Sequence, residues 1–272
     1  MAWEEREVVS LEQFVRELTD ILPTTAAHDV AFWFRGQSSA AWHLESSFMR
    51  SSRHLGIAAE AIVRLEAEAL KAFRSQAHLF VEPHLLDKVK TIPCWWALMQ
   101  HHRAPTRLLD WTASPYVAAY FAAQPNDADA PGVVWCFCSH RLRDTFESEY
   151  GTIPDFESPE APTWFERKLE EMRDARIVIP LSFGFASSER MVAQQGRFTM
   201  CFKLHQRQNC IIDQIGPKYT RKLIIPHERK HELLLRLREM NITGAALFPG
   251  VDGLGRWISE LVSLGELDKT AV

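Results

Sequence analysis

The chain has 272 residues, 46% of them hydrophobic and 24% charged, which is enough apolar material to bury one sizeable core. A formal net charge of -4 argues against broad electrostatic capture of nucleic acid, and five cysteines without framework-like spacing read as free thiols of a reducing compartment. The acidic start Met1-Ala2-Trp3-Glu4-Glu5-Arg6-Glu7 is unlike a signal peptide and no stretch is apolar for long enough to span a bilayer, so a cytoplasmic protein without a membrane partner is expected.

Ser10-Leu11-Glu12-Gln13 has the form of a capping box, and Leu11, Phe14, Val15 and Leu18 follow at helical spacing with Pro23 beyond them. Val30 to Phe34 reads as a buried strand that delivers Arg35, Gly36 and Gln37 at its exit. Ile57 to Gln76 predicts a long helix, and Pro93 opens another that ends before Pro105. A turn rigidified by Pro105 presents Thr106 and Arg107, and Ser114-Pro115 reads as the cap and first turn of a helix over Tyr116 to Ala123. Gly132 to Cys138 is a predicted strand that puts Cys136 and Cys138 on one face.

Residues 139–174 are acidic and weakly periodic, and read as an insertion or lid. Arg176 to Pro180, Arg197 to Leu204 and Leu223 to Ile225 are strand candidates, the second with clear alternation. His227 to Met240 predicts a helix, Ala245 to Phe248 one more strand, and Asp252 a cap for the last helix. The pattern specifies an α+β fold in a single domain, a mixed or antiparallel sheet flanked by helices. It divides into an N-terminal helical segment at 1–29 and a main domain at 30–265 that carries the acidic insertion.

Charge is unevenly spread. Asp144 to Glu171 holds nine acidic and two basic residues, and Arg197 to Arg238 ten basic and three acidic. Pairing of the two segments with each other is one reading, and a basic rim facing a ligand is the other.

Arg35-Gly36-Gln37 sets a planar bidentate cation, a residue without a side chain and an amide side by side, which suits a phosphate or carboxylate ligand. An ion pair from Arg35 to a carboxylate such as Asp110 that simply fixes the fold is the competing reading. In the block from Gln100 to Phe121, a helix end supplies His101 and His102, a turn presents Thr106 and Arg107, and Asp110, Thr112 and Ser114 precede a helix N-terminus, where an anion is favoured. Against a ligand role, Ser114 is also suited to capping its helix and His101 to a satisfied place in the core. His227-Glu228-Arg229-Lys230-His231 has the letters of a zinc-peptidase helix, but Pro226 puts its first histidine at the helix start and no third ligand follows, so no metal is expected.

With both blocks in view, the sequence is identified as a member of the FRG family, through Phe34-Arg35-Gly36-Gln37 and through Gln100-His101-His102 with Pro105 to Thr112. Gln195-Gly196-Arg197-Phe198, preceded by Gln194, resembles the family's Gln-x-Gly-x-Phe stretch, and Leu247-Phe248-Pro249 with Asp252-Gly253-Leu254 its closing segment. The chain also resembles ADP-ribosyltransferase folds in the order of three elements: Phe34-Arg35-Gly36, Asp110 to Ser114, and Gln194-Gln195-Gly196.

That second resemblance implies NAD as substrate, with ADP-ribosyl transfer or NAD glycohydrolysis as the reaction. Arg35 would hold the diphosphate, Thr112 and Ser114 would support the nicotinamide ribose, and Gln195 would orient the attacking group. Arg35, Asp110 and Gln195 are then the expected catalytic residues, and Gly36, Gln37, His101, Arg107, Thr112 and Ser114 join Arg35 in holding the nucleotide. The third element departs from that pattern, because its nearest glutamate is Glu189. A binding module for a nucleotide or phospho-ligand, without turnover, is the alternative, with a protein or nucleic-acid target as a further partner.

Overall fold

The computed structural model of the chain describes residues 3–21, 32–126, 129–183 and 188–265. Their elements run β1 (Glu4–Glu7), α1 (Leu11–Ile21), β2 (Phe32–Gln37), α2 (Ser47–Ser52), α3 (Ala59–Ala77), α4 (Pro83–Leu86), α5 (Ile92–His101), β3 (Leu108–Thr112) and α6 (Pro115–Ala123). They continue with β4 (Gly132–Cys138), α7 (Ser139–Tyr150), α8 (Ala161–Glu171), β5 (Val178–Leu181), α9 (Glu189–Ala193), β6 (Gly196–Cys201), α10 (Asn209–Ile212), β7 (Thr220–Ile225), α11 (His227–Glu239), α12 (Gly244–Leu247) and α13 (Val251–Leu264). The seven strands form one mixed sheet in the order β1-β7-β4-β2-β3-β6-β5, in which only β1 and β7 run parallel. The fold is the α+β class that the hydrophobic pattern implies.

One face of the sheet is covered in two halves. Over β2, β4 and β7, helices α1, α6 and α11 bury Phe14, Phe34, Ala118, Tyr120, Val134 and Leu237. Over β3, β5 and β6, helices α3, α5 and α8 bury Leu70, Trp96, Phe165, Ile179 and Met200. The opposite face packs Trp33, Leu109, Trp111, Trp135 and Phe137 around Leu44 and Ile212. Amphipathic helices on a shared sheet bury more area than either layer could alone, which is why one core suffices for this length.

The hydrophobic period located most elements, and the exceptions have physical causes. Glu4–Glu7 form an edge strand beside β7, where Glu4 pairs with Arg221 and Glu5 with Lys222 at 2.7 Å. A run of charge without apolar alternation gives no strand signal, yet an edge strand with both faces near solvent tolerates it. The expected boundary at residues 29 and 30, together with Pro23, Val30, Ala31 and Asp127, lies outside the described residues.

Directly after the expected turn at Thr106 and Arg107 comes an unexpected strand, β3, which pairs with β6 over five residues from Leu108 to Thr112. Ala245 to Phe248, expected as a strand, is mostly helix α12, because the Thr243 hydroxyl caps it by accepting from the amide of Ala246 at 3.2 Å. The acidic segment is no lid. Its helices α7 and α8 plug Phe146 and Phe165 into the core, and Phe156 between them stacks on Phe165 at 5.1 Å. Among the described ion pairs its charges do not answer the basic segment, for Glu147 and Glu171 pair within their own helices while Arg207 reaches Glu45 and Arg221 reaches Glu4.

Four cysteines, Cys94, Cys136, Cys138 and Cys201, are buried, and Cys210 is exposed. Burial raises the thiols of the buried four, that of Cys201 to about 12, which suppresses the reactive thiolate. The native protein is therefore expected to give one fast-reacting thiol with Ellman's reagent and five in guanidinium. Cys210→Ser should abolish the fast phase; a fast phase that persists in that variant would place another thiol at the surface.

Candidate functional site at the seam of the sheet

Strand β2 pairs with β4 along its whole length but is in register with β3 at one position, Phe34 opposite Thr112. Past that pair the two strands leave a seam, and the two halves of the helical layer leave a cleft above it. The cleft encloses about 280 Å³ between β2, β3 and the helices α5, α6 and α9. Single-pair contact in the middle of a sheet leaves backbone groups to be satisfied by side chains.

Arg35 does this. It lies inside β2 rather than at its exit, because the strand runs on to Gln37. Its Nη1 donates to the main-chain oxygen of Asp110 at 2.6 Å and lies 3.9 Å from the Asp110 carboxylate, while its Nε is buried without a hydrogen-bond partner among the described residues. The Asp110 side chain is 60% exposed and so only partly neutralises a guanidinium that is 18% exposed. Burial lowers the Arg35 pKa, with Asp110 opposing that shift. The group stays charged because an arginine starts so far above neutrality.

The opposite wall brings His101 from the end of α5 and Arg190 and Gln194 from α9. Burial, with His102 and Arg190 adding, holds the His101 imidazole below its ordinary range, which favours its neutral form. Arg190 lies over the Phe248 ring at 4.8 Å, and Arg256 over the same ring at 4.1 Å. This stack fixes Arg190 where it also attracts Asp110. A second cavity of about 600 Å³, lined by His101, Arg190 and Arg256, continues from this side.

The other residues expected at a site take different places. Gly36 touches the cleft, but its missing side chain makes room for α6: a Cβ there would fall on the Ala118 carbonyl and lie 2.7 Å from the Ala122 nitrogen. Gln37 is buried, accepting from the Trp135 indole at 2.6 Å, and reaches only the neighbouring cavity. Arg107 is not at the cleft. It is buried against Glu66, donating from Nε at 2.8 Å, and its Nη1 donates to the Phe202 carbonyl at 2.8 Å.

Thr112 lines the cleft, yet its hydroxyl already donates to the Gln194 carbonyl at 2.7 Å and accepts from the Ser114 amide at 3.0 Å. Ser114 caps α6 by accepting from the Val117 amide at 3.3 Å. Gln195 takes a left-handed φ of 49° and turns the chain into β6, its carbonyl accepting from Ala113. Its neighbour Gln194 faces the cleft instead, with its side-chain amide donating to the Leu247 carbonyl at 3.0 Å.

In the zinc-like run, His227 and His231 are exposed while Lys230 is buried, and among the described residues no group of three His, Cys, Asp or Glu is placed to hold a metal. No described helix is long and apolar enough to cross a membrane.

The FRG domain family matches residues 30–130, a span that carries β2 with Arg35, β3 with Asp110 and the helix α6 that roofs the cleft. This span is an FRG domain. No curated protein and no solved structure matches the chain. The matched span contains both sides of the seam, while the FRG domain receives Arg190 and Gln194 from sequence beyond it. Arg190 carried no sequence signal, since an arginine in a five-residue helix has no period to mark it.

Proposed function

We propose that the cleft binds a nucleotide-type anion through Arg35, and that its reaction is cleavage of NAD by ADP-ribosyl transfer or glycohydrolysis. The observation that carries this is the largely buried Arg35 side chain, whose buried Nε has no hydrogen-bond partner among the described residues and whose Nη1 lies 3.9 Å from the Asp110 carboxylate. A buried charge so incompletely paired is costly unless a ligand completes it, and a phosphate matches its fork. The 280 Å³ cleft alone is just below the ~300–1,000 Å³ usual for small-molecule sites, but it opens into cavities of about 600 and 650 Å³ that share its lining.

In this reading Arg35 and Arg190 hold the diphosphate. The glycosidic C–N bond breaks and nicotinamide leaves with the bonding pair. The Asp110 carboxylate faces the positive charge left on the sugar and takes the proton of the attacking hydroxyl, from water or from an acceptor side chain, as the new C–O bond forms. His101 in its neutral form is a second proton acceptor in the same cleft.

A reading without turnover is favoured by one observation: the Thr112 and Ser114 hydroxyls are spent on the Gln194 carbonyl and the α6 cap, and Gln195 is occupied with the turn. Incubation with NAD, following nicotinamide release, separates the two. Asp110→Asn should keep NAD binding and slow release by about 10²-fold or more, the usual worth of a general base. NAD binding by calorimetry without release would establish the binding module, and absence of both would overturn the nucleotide assignment. Arg35→Lys is expected to weaken binding about tenfold through loss of the fork, with the charge kept.

A further inference from the structure

On the other side of Arg35 lies a cavity of about 650 Å³ that the chemistry above leaves unused. It shares Arg35, Gly36 and Phe121 with the cleft, and adds Trp42, Arg50 and Arg53. Trp42 is 54% exposed, and the other eight tryptophans are buried or half-buried. It sits in the stretch Ser38-Ser39-Ala40-Ala41-Trp42-His43, and while Leu44 just beyond is fully buried in the core, Trp42 itself is left at the surface.

The segment that carries it is held at both ends. Lys230, itself buried, donates from Nζ to the Ser38 carbonyl at 2.6 Å, and Ala40 donates to the Pro131 carbonyl at 2.7 Å. At the far end the Leu44 carbonyl accepts from the Gln208 amide at 2.8 Å. An exposed indole on a pinned backbone is a preformed stacking platform, because little ordering entropy remains to be lost on binding.

The charges complete the picture. The buried Glu45 carboxylate binds Arg53 and Arg207, so those two share one negative charge. Arg50 donates only to the main-chain oxygen of Glu45, and no described carboxylate lies within salt-bridge distance of it. Arg35 and Arg50 thus leave the cavity with excess positive charge next to an aromatic face.

From these positions we infer that this cavity is a second subsite, for a nucleoside monophosphate, with the base stacked on Trp42 and the phosphoryl group against Arg50 and Arg35. It rests on the reading of Arg35 as an anion ligand, and it does not require NAD to be cleaved. In a dinucleotide the same subsite takes the end remote from the scissile bond. The overall charge of -4 favours a free nucleotide over a strand of nucleic acid.

The test is calorimetric binding of adenosine monophosphate, inorganic phosphate, NAD and a short single-stranded oligonucleotide to the full chain and to Trp42→Ala and Arg50→Ala. Both side chains are exposed, so both variants should fold, which circular dichroism checks. Trp42→Ala should weaken adenosine monophosphate about tenfold, the worth of one stacked base, and leave inorganic phosphate unchanged. Arg50→Ala should weaken both.

Adenosine monophosphate binding that stays within twofold in Trp42→Ala overturns the subsite even if NAD is bound or cleaved. Binding of adenosine monophosphate that depends on Trp42, without any binding of NAD, leaves the subsite standing and removes the NAD reading. Failure of every probe overturns both, and tighter binding of the oligonucleotide than of the mononucleotide overturns the assignment to a free nucleotide.

Discussion

Arg107→Ala is expected to cost about 3–5 kcal/mol of stability, the usual penalty for breaking a buried ion pair from one side. Arg107 and Glu66 are exposed to only 6% and 5%. Arg107 Nε meets both carboxylate oxygens at 2.8 and 3.1 Å, Nη2 donates to the same carboxylate, and the guanidinium lies over the Trp96 ring at 4.8 Å. The pair ties α3 to the start of β3, and through the Phe202 carbonyl to the end of β6.

Removing the arginine strands a carboxylate on a residue only 5% exposed, where its hydration cannot be replaced. Urea denaturation measures the loss. The double variant Glu66→Leu with Arg107→Met should recover much of it, since an apolar pair of similar volume avoids the desolvation penalty. A stable Arg107→Ala that has lost nucleotide binding would return this residue to the ligand site.

The family motifs marked the right strands but did not divide their residues between ligand and fold. Helical and strand patterns located α1, α3, α6 and α11 and the strands β2, β4 and β6, but not the central β3. The acidic segment escaped them: α7 and α8 bury only a few positions each, so the surface charge hides the period of Phe146 and Phe165. Among the polar motif residues, sequence could not tell Arg35 from Arg107. Both follow apolar or turn signals; what separates them is Glu66, a carboxylate 41 residues away on α3. No local pattern encodes that distance. Trp42 was legible in principle, as an aromatic isolated among Ser and Ala, whereas Arg50 and Arg190 depend on where short helices come to rest.

Gly36→Ala is expected to be as damaging as the loss of Arg107, and for a reason that concerns the cleft directly. Helix α6 lies so close to the sheet that a Cβ at Gly36 would meet the Ala118 carbonyl, and one at Gly132 would meet the Ala122 carbonyl and lie 2.9 Å from its carbon. The small residues Ala118, Ala119, Ala122 and Ala123, all fully buried, set that spacing across β2 and β4 together. The obstacle is main chain, so no rotamer change relieves it, and α6 must lift.

The cost should reach or exceed the upper end of the ~1–3 kcal/mol typical of core overpacking. Gly255→Ala, on exposed α13 with nothing within 4 Å, should instead stabilise by about 0.5–1 kcal/mol. Lifting α6 also withdraws Phe121, which lines the Trp42 cavity as well as the cleft, so any folded fraction of Gly36→Ala should bind adenosine monophosphate more weakly. Trimming the neighbouring side chain offers a sharp check: because the clash is with the carbonyl of Ala118, adding Ala118→Gly should not restore stability. If it does, the contact is between side chains, and the glycine of the motif is there for the ligand after all.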